Sequence, residues 1–237
     1  MTEPRVDESV DAFREEYRQT EIPASYSGWM HFCITFGTCG GALVLCALQL
    51  KDVLWWEWLT IPVTFFYSNI TEHFGHRRPM HHLTLGLGLL FRRHTKQHHR
   101  FFSHERMELR DSRDHRVVLF PPILLLFFFG GFALPVGLLI TWLSSSNIAY
   151  LFVITSVGYF LNYEFLHWAY HQQDSSWVHR IPGMATLRLL HTRHHNPELM
   201  SHYNFSITYP IADKLYGTFY RPPAPAQNQA VLSPTAK

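Results

Sequence analysis

The sequence predicts an all-α integral membrane protein with a histidine-rich metal site at one membrane face. Three features of its 237 residues predict this: long uncharged apolar runs, a charged share of only 16%, and seventeen histidines, most of them in clusters. Soluble domains carry about 25% charged residues, so an ordinary soluble domain is disfavoured. The net charge of +2, with histidine neutral, does not favour a nucleic-acid partner.

Four apolar segments are predicted to cross the membrane as two helical hairpins. A transmembrane helix needs about 20 apolar residues, and the four segments are 27–50, 53–71, 117–143 and 148–166. Trp55, Trp56 and Trp58 are typical of the aromatic belt at a membrane surface. The alternative is a soluble protein with two buried hairpins, but soluble helices carry a polar stripe that these segments lack.

The short hairpin connections place the other polar segments together on one side of the membrane. Both hairpin turns, at 51–52 and 144–147, lie on the same side, so the N-terminus, residues 72–116 and the chain after about residue 167 share the other side. Of the 20 Lys and Arg residues only Lys51 lies in a turn, and the positive-inside rule makes the opposite side cytoplasmic. We therefore expect both termini and the histidines in the cytosol.

The chain is predicted to form one membrane domain with two short flanking segments. Residues 1–26 are expected to be a cytosolic surface segment, in which Val10, Phe13 and Tyr17 have helical spacing. Residues 27–220 form the single domain. Residues 221–237, rich in Pro, Ala and Gln, are expected to be disordered.

Ten histidines fall into four clusters: His76 and His81; His94, His98 and His99; His167 and His171; His191, His194 and His195. Residues four apart share a helix face. Three clusters are therefore predicted to present imidazoles in one direction: His94 with His98, His167 with His171, and His191 with His194 and His195. One ion takes roughly four to six ligands, so ten imidazoles predict two ions. Imidazole favours iron, zinc or copper over magnesium or calcium, and spacing does not choose among the three.

The motifs around these histidines resemble those of the integral-membrane fatty acid hydroxylase and sterol desaturase superfamily of non-haem di-iron oxygenases. The resemblance covers roughly residues 72–218. The segment from Glu72 to His81 is similar to the family's Glu-x3-His-Arg-x3-His motif. The other boxes are His94-Thr95-Lys96-Gln97-His98-His99, His167-Trp168-Ala169-Tyr170-His171 and His191-Thr192-Arg193-His194-His195. The residues Asn204-Phe205 and Asp213-Lys214-Leu215-Tyr216-Gly217-Thr218 are similar to the Asn-Tyr-Gly and Asp-x-Leu-Phe-Gly-Thr stretch that follows the last box.

Two features of the boxes leave alternatives in the ligand set. One is a departure from the family pattern in the second box, and the other is the spacing in the first box. Three residues separate His94 from His98 where many members have two, and His104 is the alternative to His94. His76 and His81 are five apart across a proline, so they cannot share one regular helical face. The alternatives there are His73 and His82.

Polar residues beside the boxes are expected to support the ligands. Glu72 and Glu164 precede boxes by four and three residues, so each is expected either to accept the free imidazole N–H of a ligand or to be an exposed carboxylate at a helix end. His202 and Asn204 follow the last box, and we expect them beside its ligands. Asp213 is expected either to contact a ligand or to cap the helix leading to Gly217.

The resemblance implies two iron ions, O2 as co-substrate, and hydroxylation of an unactivated C–H bond in a fatty acyl, sphingolipid or sterol-like lipid. Zinc can occupy such a site in purified protein, and no catalytic residue beyond the metal ligands is expected. A desaturase of the same family is the alternative, because it shares the ligands. We expect an external electron donor, a ferredoxin or a b-type cytochrome with its reductase, because no carrier domain fits in the remaining residues.

Other classes of membrane protein fit the sequence less well. A metal transporter carries ionisable residues at mid-membrane, and the predicted spans are nearly empty of such residues apart from Glu57. A haem protein needs histidines inside the spans, where only His31 lies. A zinc hydrolase would show His-Glu-x-x-His, which is absent. A metal transporter or other metal-binding membrane protein stays as the alternative from another class.

A lipid chain must reach the metals from the bilayer, so a substrate slot is expected between the helix ends. Residues 83–91 are apolar but too few to span the membrane. They are expected either to line this slot or to lie on the membrane surface without contacting substrate.

Overall fold

The structure is a computed structural model that describes residues 6–223, in which all the regular elements are helical. Of the predicted tail, residues 224–237 lie outside this range. The α-helices are α1 (Val6–Thr20), α2 (Gly28–Ala47), α3 (Thr60–Gly75), α4 (Gly88–Phe91), α5 (His99–Phe101), α6 (His115–Val118), α7 (Ile123–Leu126), α8 (Leu134–Leu143), α9 (Ser146–Tyr170), α10 (Met184–His194) and α11 (Ile211–Leu215). Three π-helical segments occupy His76–Met80, Arg92–His98 and Phe127–Ala133, and 3-10 turns occupy Glu57–Leu59, Ser112–Asp114 and Trp177–Arg180.

Within residues 6–223, three helical segments are long and apolar enough to cross a membrane: α2, the segment Ser112–Leu143 that contains α6 to α8, and α9. They correspond to three of the four predicted spans. The fourth, 53–71, differs because α3 begins only at Thr60 and has 16 residues. Glu57 explains this late start, since its carboxylate accepts the backbone N–H of Leu54 at 2.8 Å and closes a turn.

The two predicted hairpin turns lie side by side at one end of the bundle. The Asn147 side chain accepts the backbone N–H of Lys51 at 3.1 Å and donates to the Lys51 carbonyl at 2.8 Å. The Glu57 carboxylate accepts hydrogen bonds from Ser145 at 2.5 Å and from Asn147 at 3.1 Å. Both turns therefore lie at one end of the bundle, which also carries four exposed tryptophans: Trp55, Trp56, Trp58 and Trp142.

The central helix of the bundle is α9, which contacts α2, α3 and α8. Val157, near its middle, is fully buried against Cys39 of α2 and Leu125 of α7. Its 25 residues extend about 37 Å at 1.5 Å per residue, which is longer than the hydrocarbon core of about 30 Å.

The larger hydrophobic core lies at the opposite end from the hairpin turns and surrounds the histidines. It includes Phe101, Phe102 and Tyr170, each fully buried. The predicted N-terminal helix forms as α1, but one of its faces is buried in this core through Tyr17 and Arg14, which are 3% and 1% exposed. The segment is therefore docked on the histidine end and does not lie free on the surface.

Candidate metal centre

Nine of the ten predicted ligand histidines come together in two buried groups. Group A contains His76, His81, His94, His99 and His194; group B contains His98, His171, His191 and His195. Within each group, one nitrogen from every ring lies within 4.8 Å of all the others. The tenth residue, His167, lies beside group B, with its Nε2 3.1 Å from Nε2 of His98. The groups are adjacent, since the rings of His99 and His195 are 4.3 Å apart.

A π-helical turn brings together the two histidines of the first box. Pro79 has no N–H, so an ordinary α-helix cannot continue through it, and the chain forms a π-helix over His76–Met80. Hydrogen bonds in a π-helix run from residue i to residue i+5. His76 and His81, five apart, therefore face the same way, with their Nε2 atoms 3.2 Å apart.

The second box divides between the two groups for the same reason. Residues Arg92–His98 form a π-helix, which aligns His94 with His99, and their Nε2 atoms are 3.0 Å apart. The rings of His94 and His98 are stacked, with centroids 5.3 Å apart, but the two residues belong to different groups. His98 belongs to group B.

The third and fourth boxes follow α-helical spacing. On α10, His191 and His195 are four apart and share group B, with their Nε2 atoms 3.1 Å apart. His194, expected to face the same way, instead contacts His81 of group A at 3.0 Å. His167 and His171, at the end of α9, both lie at group B, with ring centroids 5.2 Å apart.

Backbone carbonyls fix the orientation of five of the rings. Their Nδ1 atoms contact carbonyl oxygens as follows: His76 with Phe205 at 2.5 Å, His98 with Val117 at 3.0 Å, His171 with Met107 at 2.7 Å, His194 with Tyr203 at 2.9 Å and His195 with Phe102 at 2.6 Å. A carbonyl oxygen only accepts, so each Nδ1 must carry the proton. Each Nε2 therefore has its lone pair directed into the group.

The two groups fit metal ions. His98 and His195 each donate from Nδ1 to a carbonyl, yet their Nε2 atoms face each other at 3.2 Å, an arrangement of two lone pairs that repel unless a cation lies between them. Imidazole nitrogens lie about 2.1 Å from a bound metal, so ligands at right angles are about 3.0 Å apart. Each group could therefore hold a metal ion, and an all-imidazole donor set suits iron, zinc or copper.

Burial keeps these imidazoles neutral, as metal ligation requires. Loss of water contact lowers the pKa of His81 to about 2, of His98 to about 3 and of His194 to about 4. Burial, followed by repulsion from neighbouring imidazoles, also lowers the pKa values of other members well below the usual value: His76, His94, His99, His171, His191 and His195.

The two glutamates predicted beside the boxes form hydrogen bonds elsewhere. Glu72 accepts the backbone N–H of Thr208 at 2.9 Å, its hydroxyl at 2.6 Å, and a hydrogen bond from Tyr159. Glu164, 1% exposed, accepts the backbone N–H of Phe120 at 3.2 Å. Both glutamates orient backbone segments near the groups. The Nδ1 protons of the ligand histidines are accepted by backbone carbonyls and not by these carboxylates. Neither is an exposed carboxylate at a helix end.

Asp213 supports group A through the loop that follows the last box. Its carboxylate accepts the backbone N–H groups of Phe205 and Ser206, both at 2.9 Å, and the hydroxyl of Thr218 at 2.7 Å. The Phe205 carbonyl in turn orients His76. Asp213 therefore helps to orient the ligand His76 indirectly, through the backbone of Phe205. It lies inside α11 and not at the start of this helix, so it is not the helix cap.

Asn204 turns the same loop, while His202 lies away from the site. Asn204 has a φ of 55°, a left-handed conformation that asparagine tolerates. Its side chain donates to the carbonyl of Leu190 at 3.2 Å and accepts the N–H of Tyr220 at 3.0 Å. His202 is exposed, and its ring packs against Tyr203.

The alternative ligands lie outside both groups. His73 is buried with its Nε2 2.9 Å from the hydroxyl of Thr218. His82 is exposed, and His104 is partly exposed beside Glu105 at 3.9 Å. His94 and the pair of the first box therefore keep their predicted places.

A cavity of about 380 Å³ extends from the side of the bundle to group A. Its walls come from α3, α7 and α9, and His76 lies at its inner end. A second, narrower cavity of about 50 Å³ shares several of these walls and reaches His94, His98 and His167. Exposed Tyr67 and Phe127 mark the outer opening. Together these two cavities, which share apolar walls, form a slot that reaches residues of both groups.

The predicted surface segment 83–91 contributes only its C-terminal part to this slot. Leu89 and Leu90 line the narrow cavity, and Leu90 also lines the larger one. Leu83 and Leu85 are 75% and 102% exposed, so they face outward. The C-terminal half of the segment therefore lines the slot, as one expectation had it. The N-terminal half lies on the surface, as the other had it.

Fold and site define a class: a helical protein with segments able to span a membrane and a buried centre of ten histidines, nine of them in two groups. No family model, curated protein or solved structure matches the chain. The class therefore depends on the geometry of these residues.

Sequence reasoning missed the residues that orient the ligands. The acceptors are backbone carbonyls, such as those of Phe102 and Met107, and a carbonyl has no sequence signature. The buried Arg14 was missed as well, although its position one turn before Tyr17 on the same helix face was a usable signal.

The metal-free protein is expected to lose stability as the pH falls from about 6.5, the value for histidine in an unfolded chain, to about 4, the pKa of folded His194. Over this window the unfolded state binds more protons, so the free energy of unfolding decreases with falling pH by about 1.4 kcal/mol per pH unit for each such histidine. Thermal unfolding in detergent with a chelator, at about pH 7.5, 6 and 5, measures this. His194→Gln should flatten the dependence and His202→Ala should not; a melting temperature independent of pH would contradict the expectation.

Proposed function

We propose that this chain is a membrane-bound di-iron oxygenase of the fatty acid hydroxylase type, which hydroxylates an unactivated C–H bond of a lipid with O2 and external electrons. One observation carries the proposal: an apolar slot open at the side of the bundle ends at two adjacent groups of neutral imidazoles. The histidine motifs named above add the resemblance to that superfamily.

The side chains around the slot position a lipid chain. Group A and group B would each bind one iron, and the pair would supply O2 activation and oxidation of a strong C–H bond. Tyr163 and Met80 line both cavities, so they fix how deep a chain can extend toward the ligands. Holding one carbon at the inner end accounts for regioselectivity and for part of the rate.

The apolar walls of the slot would keep water away from the reacting groups and so limit side reactions. Phe120, Leu124 and Leu90 separate the two groups from the outer opening with apolar surface. A bound chain would exclude water from this region, which limits loss of the oxidant to solvent. Electrons come from a separate ferredoxin or b-type cytochrome in this proposal.

Hydroxylation and desaturation share these ligands, so the desaturase is the second candidate, distinguished by its product. The metal transporter alternative has less support. Both groups lie at one end of the bundle, whereas transporter sites lie near the middle of the bilayer.

We also propose α3 as a fourth span, which gives two hairpins with both termini in the cytosol. The 3-10 turn Glu57–Leu59 and α3 together extend about 30 Å at 2.0 and 1.5 Å per residue. This equals the thickness of the hydrocarbon core. The turn at Lys51 and the ligand His76 lie at opposite ends of the bundle, so α3 extends from one end to the other.

Metal content tests the two-site proposal. Purified protein should contain about two ions per chain, and His81→Ala and His171→Ala should each lose one, because they belong to different groups. The double variant should bind none, and His202→Ala is the matched control with both ions. Elemental analysis gives the counts, and wild-type protein with fewer than two ions would overturn the dinuclear centre.

Blocking the slot should abolish lipid oxidation without removing metal. Ser156→Phe places an aromatic ring in the larger cavity, while Ser146→Phe makes the same change at an exposed position of the same helix. With membrane lipids, O2 and a chemical reductant, we expect at least a tenfold loss of turnover for Ser156→Phe alone. Mass spectrometry of the lipids separates gain of one oxygen from loss of two hydrogens. Equal turnover in both variants would rule out the slot as the substrate path.

Sidedness is measurable by cysteine labelling in a background lacking Cys33, Cys39 and Cys46. A cysteine at Asp52 should react with an impermeant reagent from the outer face, and one at Lys214 only from the cytoplasmic face. A cysteine at His82 should behave like the one at Lys214 if α3 spans the membrane. Labelling of positions 52 and 82 from the same face would refute the fourth span.

A further inference from the structure

Arg14 of α1 contacts three backbone carbonyls of one loop. Its side chain is 1% exposed, and its nitrogens donate to the carbonyls of Phe101 at 2.6 Å, Arg106 at 2.5 Å and Glu108 at 3.2 Å. Its guanidinium carbon also lies 5.1 and 5.2 Å from the ring centroids of Phe101 and Phe102. Burial lowers the pKa of Arg14 to about 10, so it stays charged at neutral pH.

The same loop, 101–108, orients two ligands of group B from its other side. The carbonyl of Phe102 accepts a hydrogen bond from Nδ1 of His195, and the carbonyl of Met107 accepts one from Nδ1 of His171. The carbonyls that contact Arg14 and those that accept hydrogen bonds from the ligands belong to adjacent residues of this segment.

We propose that Arg14 is a positioning residue that keeps the 101–108 loop in the conformation group B needs to bind its ion. The inference rests on the proposed function, since it assumes that group B binds metal. It makes the N-terminal helix part of one of the two metal sites.

The effect should be selective, because group A takes its carbonyls from a different loop. His76 and His194 donate to Phe205 and Tyr203, and that loop is held by Asp213 and Asn204. A guanidinium has five N–H donors in a fixed plane, whereas the ammonium of lysine is a single point with three. Lysine at position 14 is therefore expected to satisfy fewer of the three carbonyls.

The test is a metal titration of full-length protein in detergent with Zn²⁺ in a chelator buffer. We expect Arg14→Met to leave the affinity of group A unchanged and to weaken group B by about 10 to 100-fold, the usual effect of removing support behind a ligand. Arg14→Lys should fall between Arg14→Met and the wild type. Loss of both ions to the same extent, or of neither, would overturn the proposal.

Two double variants show which ion is lost. Arg14→Met added to His171→Ala should cost no further ion, because both changes act on group B. Added to His81→Ala, it should bring the count close to zero. Additive loss in the first pair, with no coupling between the two positions, would contradict the assignment.

Tyr17→Phe is the matched control for docking of α1. Tyr17 lies one turn later, and its hydroxyl contacts Gln97 at 3.3 Å, away from the 101–108 loop. The Tyr17→Phe variant should retain both ions, and loss of the group B ion in this variant would assign the effect to helix docking rather than to Arg14.

The number of ions bound by the wild type separates this inference from the proposed function. Fewer than two ions in the wild type would defeat the proposed function, whereas two ions in both the wild type and Arg14→Met would defeat only this inference.

Discussion

The candidate centre depends on hydrogen bonds from imidazole Nδ1 to backbone carbonyls. These bonds determine the tautomer of five rings and direct the Nε2 lone pairs inward, where they face one another at about 3 Å. An arrangement of neutral lone pairs at this distance is unfavourable by itself. The surrounding fold must therefore hold the rings in place, and a cation turns the same geometry into a favourable one.

The general architecture was predictable because its signals are local. Long apolar runs identified α2, most of α9 and residues 117–143 of the segment Ser112–Leu143, and the two short connections between runs lie side by side. The start of α3 was not predictable from hydropathy, because it depends on a hydrogen bond from Leu54 to Glu57 within an otherwise apolar run. A single buried carboxylate shortened the helix from its N-terminal side.

The ten histidines were identified from their clustering, but not their division into groups. Spacing of four predicts a shared face only on an α-helix, and two boxes lie on π-helical turns where the relevant spacing is five. His94 accordingly faces His99, and His98 faces the other group. The sequence pattern predicted which histidines form the centre. The helix type of the first two boxes, set by Pro79 in the first of them, decided how these histidines are arranged.

The carboxylates near the centre accept hydrogen bonds from backbone N–H groups and are not part of the ligand set, which is therefore neutral. Asp213 and Glu72 accept N–H groups of the 205–208 segment, and Glu164 accepts one from Phe120. Two divalent ions bound by ten neutral rings would keep their full positive charge in a buried environment. Binding there is favourable only while every imidazole stays unprotonated, so the burial that lowers the pKa values of His81 and His194 is a condition for occupancy. Helix docking, loop conformation and ligand charge are thus coupled through the carbonyls that accept the Nδ1 protons.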